Sequence, residues 1–482
     1  MTSRPRPSFG LTVLAVSLPM FMVALDNLVV TNALASIRHD LGSTVENLQW
    51  VTNAYVLGFA GFLLTAAGLG DRYGRRKVFV IGITAFTLAS LGCGLSDSTT
   101  ALIVFRTLQG ITAAAVLPLS LTILTVSVPP QKRGVAIGLW SAISSLAVAL
   151  APLVGGAITT GIDWHWIFLV NIPIGLIAVP LVLKVLEESR GAAAKLDIPG
   201  LVLACTGVLA LVWGIVKGGE DGWTSAGVVT AFVAAAVLFV VFLLWERKAP
   251  SPMLPLAIYR IKAFSLANVV SLAVFFGLFG PIFLIAQYLQ VARGHSAFEA
   301  GLWTLPWAVM PMLVAPFAGK FAPRIGSGVL MAAGLFVSGA GLAWFAAVAG
   351  VGASDWEYVG PFVLAGAGMG LVFAPTAMVV MSSVPPQMAG KASGANTTVR
   401  ELGGALGIAV ATSIFSGSGS YDTPQHFTDG MVPGLWVGAA VLAAGALVAL
   451  AIPRPRKAAA GQQQSQQPQQ PAPKQEASAV SN

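Results

Sequence analysis

The chain has 482 residues, of which 56% are hydrophobic and only 10% are charged. A typical soluble domain is about 25% charged, and a soluble core cannot bury this much apolar surface in a chain of this length. The composition therefore excludes a soluble fold and indicates an integral membrane protein. The net charge of +8 does not indicate a nucleic-acid partner, because the basic residues are scattered between apolar runs.

Apolar runs follow one another along the chain, and each is long enough to cross the hydrocarbon core, which takes about 20 residues. We expect fourteen spans and an all-α integral membrane fold. The first run lacks a small-residue cleavage site and is predicted to be a span, not a signal peptide. The spans lie near residues 10–32, 48–69, 78–96, 101–127, 135–159, 166–186, 198–216, 226–245, 265–289, 302–322, 328–350, 358–383, 394–416 and 433–453.

The distribution of basic residues predicts the orientation. With the N-terminus inside, 22 of the 27 Lys and Arg residues lie on the cytoplasmic side, 3 on the outer side and 2 within spans. The positive-inside rule predicts such a bias, and one wrong span would exchange the two sides for everything downstream. We therefore expect a multi-pass protein of the cytoplasmic membrane with both termini in the cytoplasm.

A short internal repeat predicts the domain organisation. The Val-Pro-Pro-Gln of residues 128–131 recurs at 384–387, with Gly, Ala and Gly following at the same spacing. Both copies sit where a span leaves the membrane on the cytoplasmic side, which predicts two parallel bundles with a substrate path between them. A chance match of a Pro-rich loop is the alternative. The predicted domains are a six-helix bundle over 1–190, two linking helices over 191–255, a second six-helix bundle over 256–455 and a disordered tail over 456–482.

Several motifs occur in a characteristic order. They are residues 25–27 (Leu-Asp-Asn), 68–77 (Gly-Leu-Gly-Asp-Arg-Tyr-Gly-Arg-Arg-Lys), the set Leu102, Arg106, Gln109 and Gly110, the set Pro152, Gly155 and Gly156, and residues 164–175. On these residues the chain resembles the major facilitator superfamily, and in particular its fourteen-span drug:proton antiporter branch. The resemblance covers roughly residues 10–455 and implies two six-helix bundles plus two extra spans.

Charged residues inside the predicted spans are candidate coupling or substrate residues. A charge at mid-bilayer costs about 2.5–3.5 kcal/mol on insertion scales, so such residues mark functional sites. We predict that Asp26 binds the coupling proton and the positive end of a cationic substrate in alternation. Arg106, with Gln109 three residues further along the same helix face, would tune it. The alternative is a structural pair of Asp26 and Arg106 that only fixes helix packing.

Arg400 and Glu401 form a second candidate site for proton coupling or substrate binding, in the thirteenth predicted span. Neighbouring helix residues point about 100° apart, so the two side chains are expected to serve different surfaces. The alternative is that Arg400 reaches the cytoplasmic edge and pairs locally. Which of Asp26 and Glu401 is the main proton site stays open at this point.

The loop between the second and third spans is a candidate cytoplasmic gate. Asp71, Arg72, Gly74 and Arg75 match the superfamily pattern, and Asp71 near a helix end is placed to hold an Arg or a facing helix terminus. The alternative is positive-inside anchoring alone.

The fifth span carries candidate hinge and packing residues. Pro152 removes a backbone hydrogen bond, and Gly155 and Gly156 allow a neighbouring helix to approach closely. Routine membrane packing is the alternative.

These features predict a secondary active transporter that exports small hydrophobic or cationic compounds, such as drugs and antibiotics, in exchange for protons. The alternatives are a proton-coupled uptake symporter on the same fold and, in another class, a membrane sensor or structural protein. Because no P-loop or metal-ligand cluster is present in the sequence, we expect no enzyme activity, no ATP, no metal and no cofactor beyond the proton gradient. The expected partners are the substrate and the lipid bilayer, and the expected state is monomeric.

Overall fold

The computed structural model describes residues 8–43, 45–191, 197–250, 252 and 254–453. The described residues form fifteen α-helices and a few short 3-10 turns, with no strand among them. The predicted disordered tail over 456–482 lies outside the described residues. The helices are α1 (Phe9–Leu41), α2 (Val45–Tyr73), α3 (Arg75–Gly94), α4 (Thr99–Ser127), α5 (Arg133–Gly161), α6 (Trp166–Leu169), α7 (Asn171–Val185), α8 (Ile198–Asp221), α9 (Ala226–Glu246), α10 (Lys262–Val291), α11 (Ala297–Ile325), α12 (Ser327–Val348), α13 (Val359–Ser382), α14 (Ala389–Ser418) and α15 (Pro424–Leu450).

Polar caps fix where the apolar helices begin and end. The hydroxyl of Ser8 accepts a hydrogen bond from the first turn of α1, and Ser296 and Glu299 form a reciprocal capping box at the start of α11. α1 continues to Leu41, well past its predicted boundary, and ends at Gly42 with a φ of 59°. Hydropathy alone misplaces this end, because helix termini are set by groups that satisfy the orphan backbone donors and acceptors.

Twelve helices among the described residues are long and apolar enough to cross a membrane, and α6 and α7 count together as one of them. A thirteenth is added if the two segments of α2, bent by 47° relative to each other, form one span. The all-α membrane fold is confirmed. The number of fourteen spans stays a prediction.

Helix α9 shows how the outer surface is suited to lipid. It has the highest mean hydropathy of the candidate spans, 2.8, and only 17% of its most apolar window is buried inside the protein. Its exposed side chains include Val233, Val237 and Leu244. A continuous apolar face of this kind is unfavourable in water and is stable against hydrocarbon.

Helix contacts separate the bundle into two groups. In the first helix group, α1–α7, helix α4 packs on α2 and α3, and α1 packs on α5 and α7. In the second helix group, α10–α15, helix α12 packs on α13 and α15, and α10 packs on α14 and α15. The two groups meet through α5 against α11 and α2 against α14, and α8 packs on α9, α2 and α14.

The groups are in direct backbone contact at one end of the bundle, which we call the basic face. This end carries the turns at Gly74, 128–132, Gly326 and 383–388; the other end is the opposite face. There a Cβ atom added to Gly134 of α5 would overlap the carbonyl oxygen of Gly319 of α11, and the reverse overlap also holds. Only glycine permits this backbone contact between the two groups.

We predict that Gly134→Leu destabilises the protein, because the larger side chain pushes α5 away from α11. Overpacking of this kind costs about 1–3 kcal/mol, and the melting temperature of the detergent-purified protein measures it. Gly161→Leu is the matched control, since nothing lies within 4 Å of a Cβ at Gly161 in the same helix. An equal melting temperature for both variants would contradict the close contact.

Candidate functional site

A buried cluster of polar side chains surrounds Asp26 in the middle of the first helix group. Asp26 of α1 is only 2% exposed. Its Oδ2 atom accepts a hydrogen bond from Arg106 Nη1 of α4 at 2.8 Å. Its Oδ1 atom accepts from Asn171 Nδ2 of α7 at 2.7 Å and from Gln109 Nε2 of α4 at 3.2 Å. The carboxylate is therefore held by three donors from two neighbouring helices.

Arg106 is fully buried and makes further contacts within the same group. Its Nη1 atom also donates to Gln109 Oε1 at 2.9 Å, and its Nε atom donates to the carbonyl oxygen of Val51 at 3.3 Å. The guanidinium carbon lies 4.2 Å from the ring centroid of Tyr55. Its Nη2 atom has no hydrogen-bond partner, so the cation keeps one unused donor inside the protein.

Ser90 of α3 also belongs to the cluster. Its hydroxyl oxygen accepts hydrogen bonds from Gln109 Nε2 at 2.7 Å and from Asn171 Nδ2 at 2.8 Å. Each amide group thus uses one hydrogen on Asp26 and one on Ser90. This orients both amides with their N–H groups toward the carboxylate and stabilises its charged form.

The sequence predicts that Asp26, Arg106 and Gln109 form one site, and the structure places these three side chains in direct contact. Sequence reasoning missed the roles of Ser90 and Asn171. Asn171 lies inside the motif at 164–175, so its position in that motif was an available signal. No pattern in the sequence singles out Ser90.

The second candidate pair, Arg400 and Glu401, lies elsewhere, on α14 of the second helix group. The Arg400 guanidinium carbon is 4.4 Å from the ring centroid of Phe275 and 5.7 Å from that of Phe373. Within the described part of the chain, neither residue forms a hydrogen bond or ion pair with Asp26. Arg400 lines a cavity between the two groups, whereas Asp26 does not.

The predicted gate residues lie at the basic face, where two of them link the helix groups. Arg75, whose side chain is 1% exposed, forms an ion pair with Asp71 at 2.8 Å. Arg75 Nη2 also donates to the carbonyl oxygen of Pro386, in the second helix group, at 3.0 Å. Asp71 in turn abuts Gly390, where an added Cβ would lie 2.5 Å from Asp71 Oδ1. The second copy of the internal repeat thus receives the Arg75 side chain.

The other two predicted gate residues do not reach the second group. Arg72 is exposed and stacks on the ring of its neighbour Tyr73. Gly74 has a φ of 113°, which permits the tight turn between α2 and α3. The carboxylate of Glu188, which sequence reasoning missed, accepts hydrogen bonds from the backbone N–H groups of Arg76 and Lys77 and so caps α3.

The predicted packing residues of the fifth span lie near the opposite end of α5. A Cβ added to Gly156 would lie 3.6 Å from Phe298, which is an ordinary contact. Gly155 lies in the same helical turn, and the side chain of Pro152 lies outside the described residues. The close approach of α5 to α11 therefore falls at Gly134, at the basic face.

The profile of the Major Facilitator Superfamily matches residues 16–408, so the chain belongs to this superfamily of transporters. It is a multi-pass membrane transporter of small molecules and not an enzyme, as the sequence predicts. The sensor or structural alternative is thereby set aside.

Several relatives share most of the chain. It is 35% identical over 416 residues to the tetracenomycin C resistance and export protein of Streptomyces glaucescens, covering 85% of this chain and 76% of that protein. It is 36% identical over 408 residues to the multidrug resistance protein Stp of Mycobacterium tuberculosis, covering 84% and 76%. It is 35% identical over 422 residues to the cephamycin export protein CmcT of Amycolatopsis lactamdurans, covering 86% and 87%.

Solved structures share the fold. The proton:xylose symporter XylE superimposes with a TM-score of 0.66 at 15% identity, over 92% of this chain and 96% of that one. The human organic anion transporter MFSD10 gives a TM-score of 0.64 at 14% identity, over 92% and 100%. At these identities the likeness concerns the arrangement of helices alone.

We predict that Asp26→Asn and Arg106→Gln each lower the free energy of unfolding by more than half of the amount that the double variant lowers it. Removing one partner of a buried ion pair leaves an uncompensated charge and costs about 3–5 kcal/mol, whereas removing both leaves none. Thermal unfolding of the detergent-purified proteins measures the coupling. Strictly additive effects of the two substitutions would contradict a direct interaction.

We predict that Arg75→Ala opens the basic face and Arg72→Ala does not. The Arg75→Ala variant lacks the charged hydrogen bond from Arg75 to the second group, which is worth about 1.5–3 kcal/mol. The measurement is the rate of maleimide labelling of a cysteine at Ser393, which is 1% exposed, with Cys93 and Cys205 replaced by alanine. Positive-inside anchoring alone predicts equal labelling rates for the two arginine variants, and that result would exclude the gate.

Proposed function

We propose that this chain exports small, largely hydrophobic compounds, including antibiotics and other drugs, in exchange for protons by alternating access. The direction is supported by relatives named for export of tetracenomycin C and cephamycin and for multidrug resistance. The observation that carries the coupling is the buried Asp26–Arg106 ion pair. It places a group that can take up a proton beside a cation whose position depends on that proton.

The architecture that fits this function has fourteen spans in two six-helix bundles. Helix α5 has 29 residues, more than the about 20 that a span needs, and it packs on both α1 and α11. Counting α5 and α2 as one span each gives fourteen. The two bundles then correspond to residues 1–190 and 256–455, with the linking helices over 191–255 between them.

The basic face is proposed to lie in the cytoplasm, in line with the positive-inside rule. Both termini are then cytoplasmic, in a protein of the cell membrane. Arg75 and Asp71 act as a cytoplasmic gate, which is closed in this structure. The proton gradient is the only energy source in this proposal, without a cofactor or ATP, and one chain suffices.

Helix α4 is the element that would transmit the proton state of Asp26. It carries Arg106 near its start and contacts α14 toward its other end, where Ser393 Oγ donates to the carbonyl oxygen of Pro118 at 2.9 Å. Protonation of Asp26 removes the negative charge that holds Arg106. A resulting shift of α4 reaches the contact with α14, so proton uptake favours separation of the two groups at that end.

The predicted binding of a cationic substrate by Asp26 has less support than its role in coupling. Both carboxylate oxygens already accept hydrogen bonds from Arg106, Gln109 and Asn171. Asp26 also does not line the cavity between the groups. We therefore retain Asp26 as the proton site and place the cargo elsewhere.

We predict that Asp26→Asn abolishes proton-driven export, since the amide side chain carries no titratable proton. Inverted membrane vesicles measure it: the wild type accumulates a fluorescent cargo when the vesicle interior is made acid, and the variant does not. Downhill exchange of cargo without a pH gradient persists in the variant, because the cargo site is separate.

Asp163→Asn is the control, because Asp163 lies in an exposed loop at the opposite face. Full accumulation by the Asp26→Asn protein would exclude Asp26 as the coupling site. Expulsion of the cargo from acid-loaded vesicles by the wild type would instead indicate an uptake symporter.

A further inference from the structure

A small cavity lies between the two helix groups, apart from the Asp26 cluster. Its volume is about 20 Å³, roughly the space of one water molecule. Helix α5 of the first group forms one wall, and α10, α13 and α14 of the second group form the others. The lining side chains that matter here are Trp140, Ser271, Phe275, Phe373, Asn396 and Arg400.

Arg400 is the one charged side chain that lines this cavity. Its guanidinium group stacks on the face of Phe275 at 4.4 Å and lies near Phe373 at 5.7 Å. Its buried Nε atom has no hydrogen-bond partner. Stacking on the rings fixes the plane of the guanidinium group and leaves the Nε–H on its edge unused.

An unused guanidinium edge between membrane helices is unfavourable unless something binds it. A charge at this depth costs several kcal/mol, and buried donors are rarely left unpaired. Glu401 lies close enough to interact electrostatically with Arg400, but adjacent helix residues point about 100° apart, and the buried Arg400 Nε–H is left without a hydrogen-bond partner. The Asp26 carboxylate is also no partner for Arg400, because it already forms an ion pair with Arg106.

The remaining walls suit a flat aromatic molecule. The rings of Phe275 and Phe373 are nearly parallel, with centroids 5.5 Å apart and an interplanar angle of 19°. Trp140 lines the cavity from α5, and its indole N–H already donates a hydrogen bond to Ser120 Oγ at 3.1 Å. Asn396 donates to Asn268 and Ser271, so the polar edge of the cavity is also held in place.

We propose that this cavity is the cargo site, and that it takes planar aromatic compounds bearing an acidic oxygen, such as a carboxylate or phenolate. Arg400 binds that oxygen with its free Nε–H, while the rings of Phe373 and Trp140 contact the flat face and Phe275 keeps the guanidinium group in place. This inference rests on the proposed export function and names its substrate class. It departs from the cationic cargo that the sequence predicts.

The site opens when the helix groups move apart. Its present volume excludes any drug-sized molecule, which needs about 300 Å³ or more. Since Trp140 lies on α5 and Arg400 on α14, separation of the groups enlarges the cavity without disturbing the stack of Arg400 on Phe275. Cargo binding is therefore measured in solution, where the protein can change conformation.

Two dyes with one ring system and opposite charge test the proposal. Fluorescein is a planar xanthene with acidic oxygens, and rhodamine 123 is a xanthene cation. Fluorescence anisotropy with the detergent-purified full chain measures the Kd of each. We expect Arg400→Gln and Arg400→Met to weaken fluorescein binding by at least about tenfold, the loss of one charged hydrogen bond, and to leave rhodamine 123 binding unchanged or tighter.

Arg400→Lys keeps the charge but loses the planar fork and the ring stacking, so it restores fluorescein binding only in part. Arg38→Gln, a change at an exposed arginine at the end of α1, controls for general loss of positive charge and leaves both Kd values unchanged. The melting temperature of each variant shows that it is folded.

The proposal is overturned if the wild type does not bind fluorescein, if a folded Arg400→Gln binds it as tightly as the wild type, or if both dyes are weakened equally. The export function is tested separately, with fluorescein uptake into inverted vesicles under a pH gradient. Tight, Arg400-dependent binding without pH-driven uptake supports the cargo site and contradicts proton exchange. Driven uptake of rhodamine 123 alone supports exchange and contradicts the cargo site.

Discussion

The first helix group is organised around one requirement, the burial of a carboxylate and a guanidinium between α1 and α4. Neither charge is stable alone inside a membrane, and their pairing offsets desolvation only when the remaining donors and acceptors are used. Asn171, Gln109 and Ser90 meet that condition from three helices. The network joins α1 to α4 and α7, which pack on it, and to α3, which packs on α4 and α7, and so it is sensitive to any change in the charge of Asp26.

The buried arginines of the two helix groups have different surroundings. Arg106 has an anion, two acceptors and an aromatic ring as partners, whereas Arg400 has aromatic rings and an Nε atom without a hydrogen bond. Under the proposed function these two environments suit different roles, the Asp26–Arg106 pair for the coupling proton and Arg400 for a cargo molecule that arrives and leaves. Asp26 does not line the cavity between the groups, in line with that separation.

The sequence predicts those parts of the molecule that depend on local pattern. Apolar runs predict the helices, and the i, i+3 spacing on α4 predicts that Arg106 and Gln109 share a face. Local sequence pattern does not predict contacts that are set by tertiary packing. Ser90 joins the cluster only because α3 lies against α4 and α7. Likewise, the contact of Arg75 with Pro386 joins residues 311 positions apart, and the repeat that contains Pro386 carries no sign of it.

The strength of the contacts differs within and between the groups, and this difference fits the proposed alternating access. Across the interface at the basic face, Arg75, Ser393 and Thr122 donate to backbone carbonyl oxygens, and glycines lie against each other at α5 and α11. A typical hydrogen bond contributes only about 0.5–1.5 kcal/mol, or about 1.5–3 when charged, so a few can break together and reform. Breaking a buried ion pair costs about 3–5 kcal/mol. The ion pairs Asp26–Arg106 and Asp71–Arg75 both lie inside the first group. The strong interactions therefore lie within the first group, and the interface between the groups is left to weaker contacts, as the proposed alternating access requires.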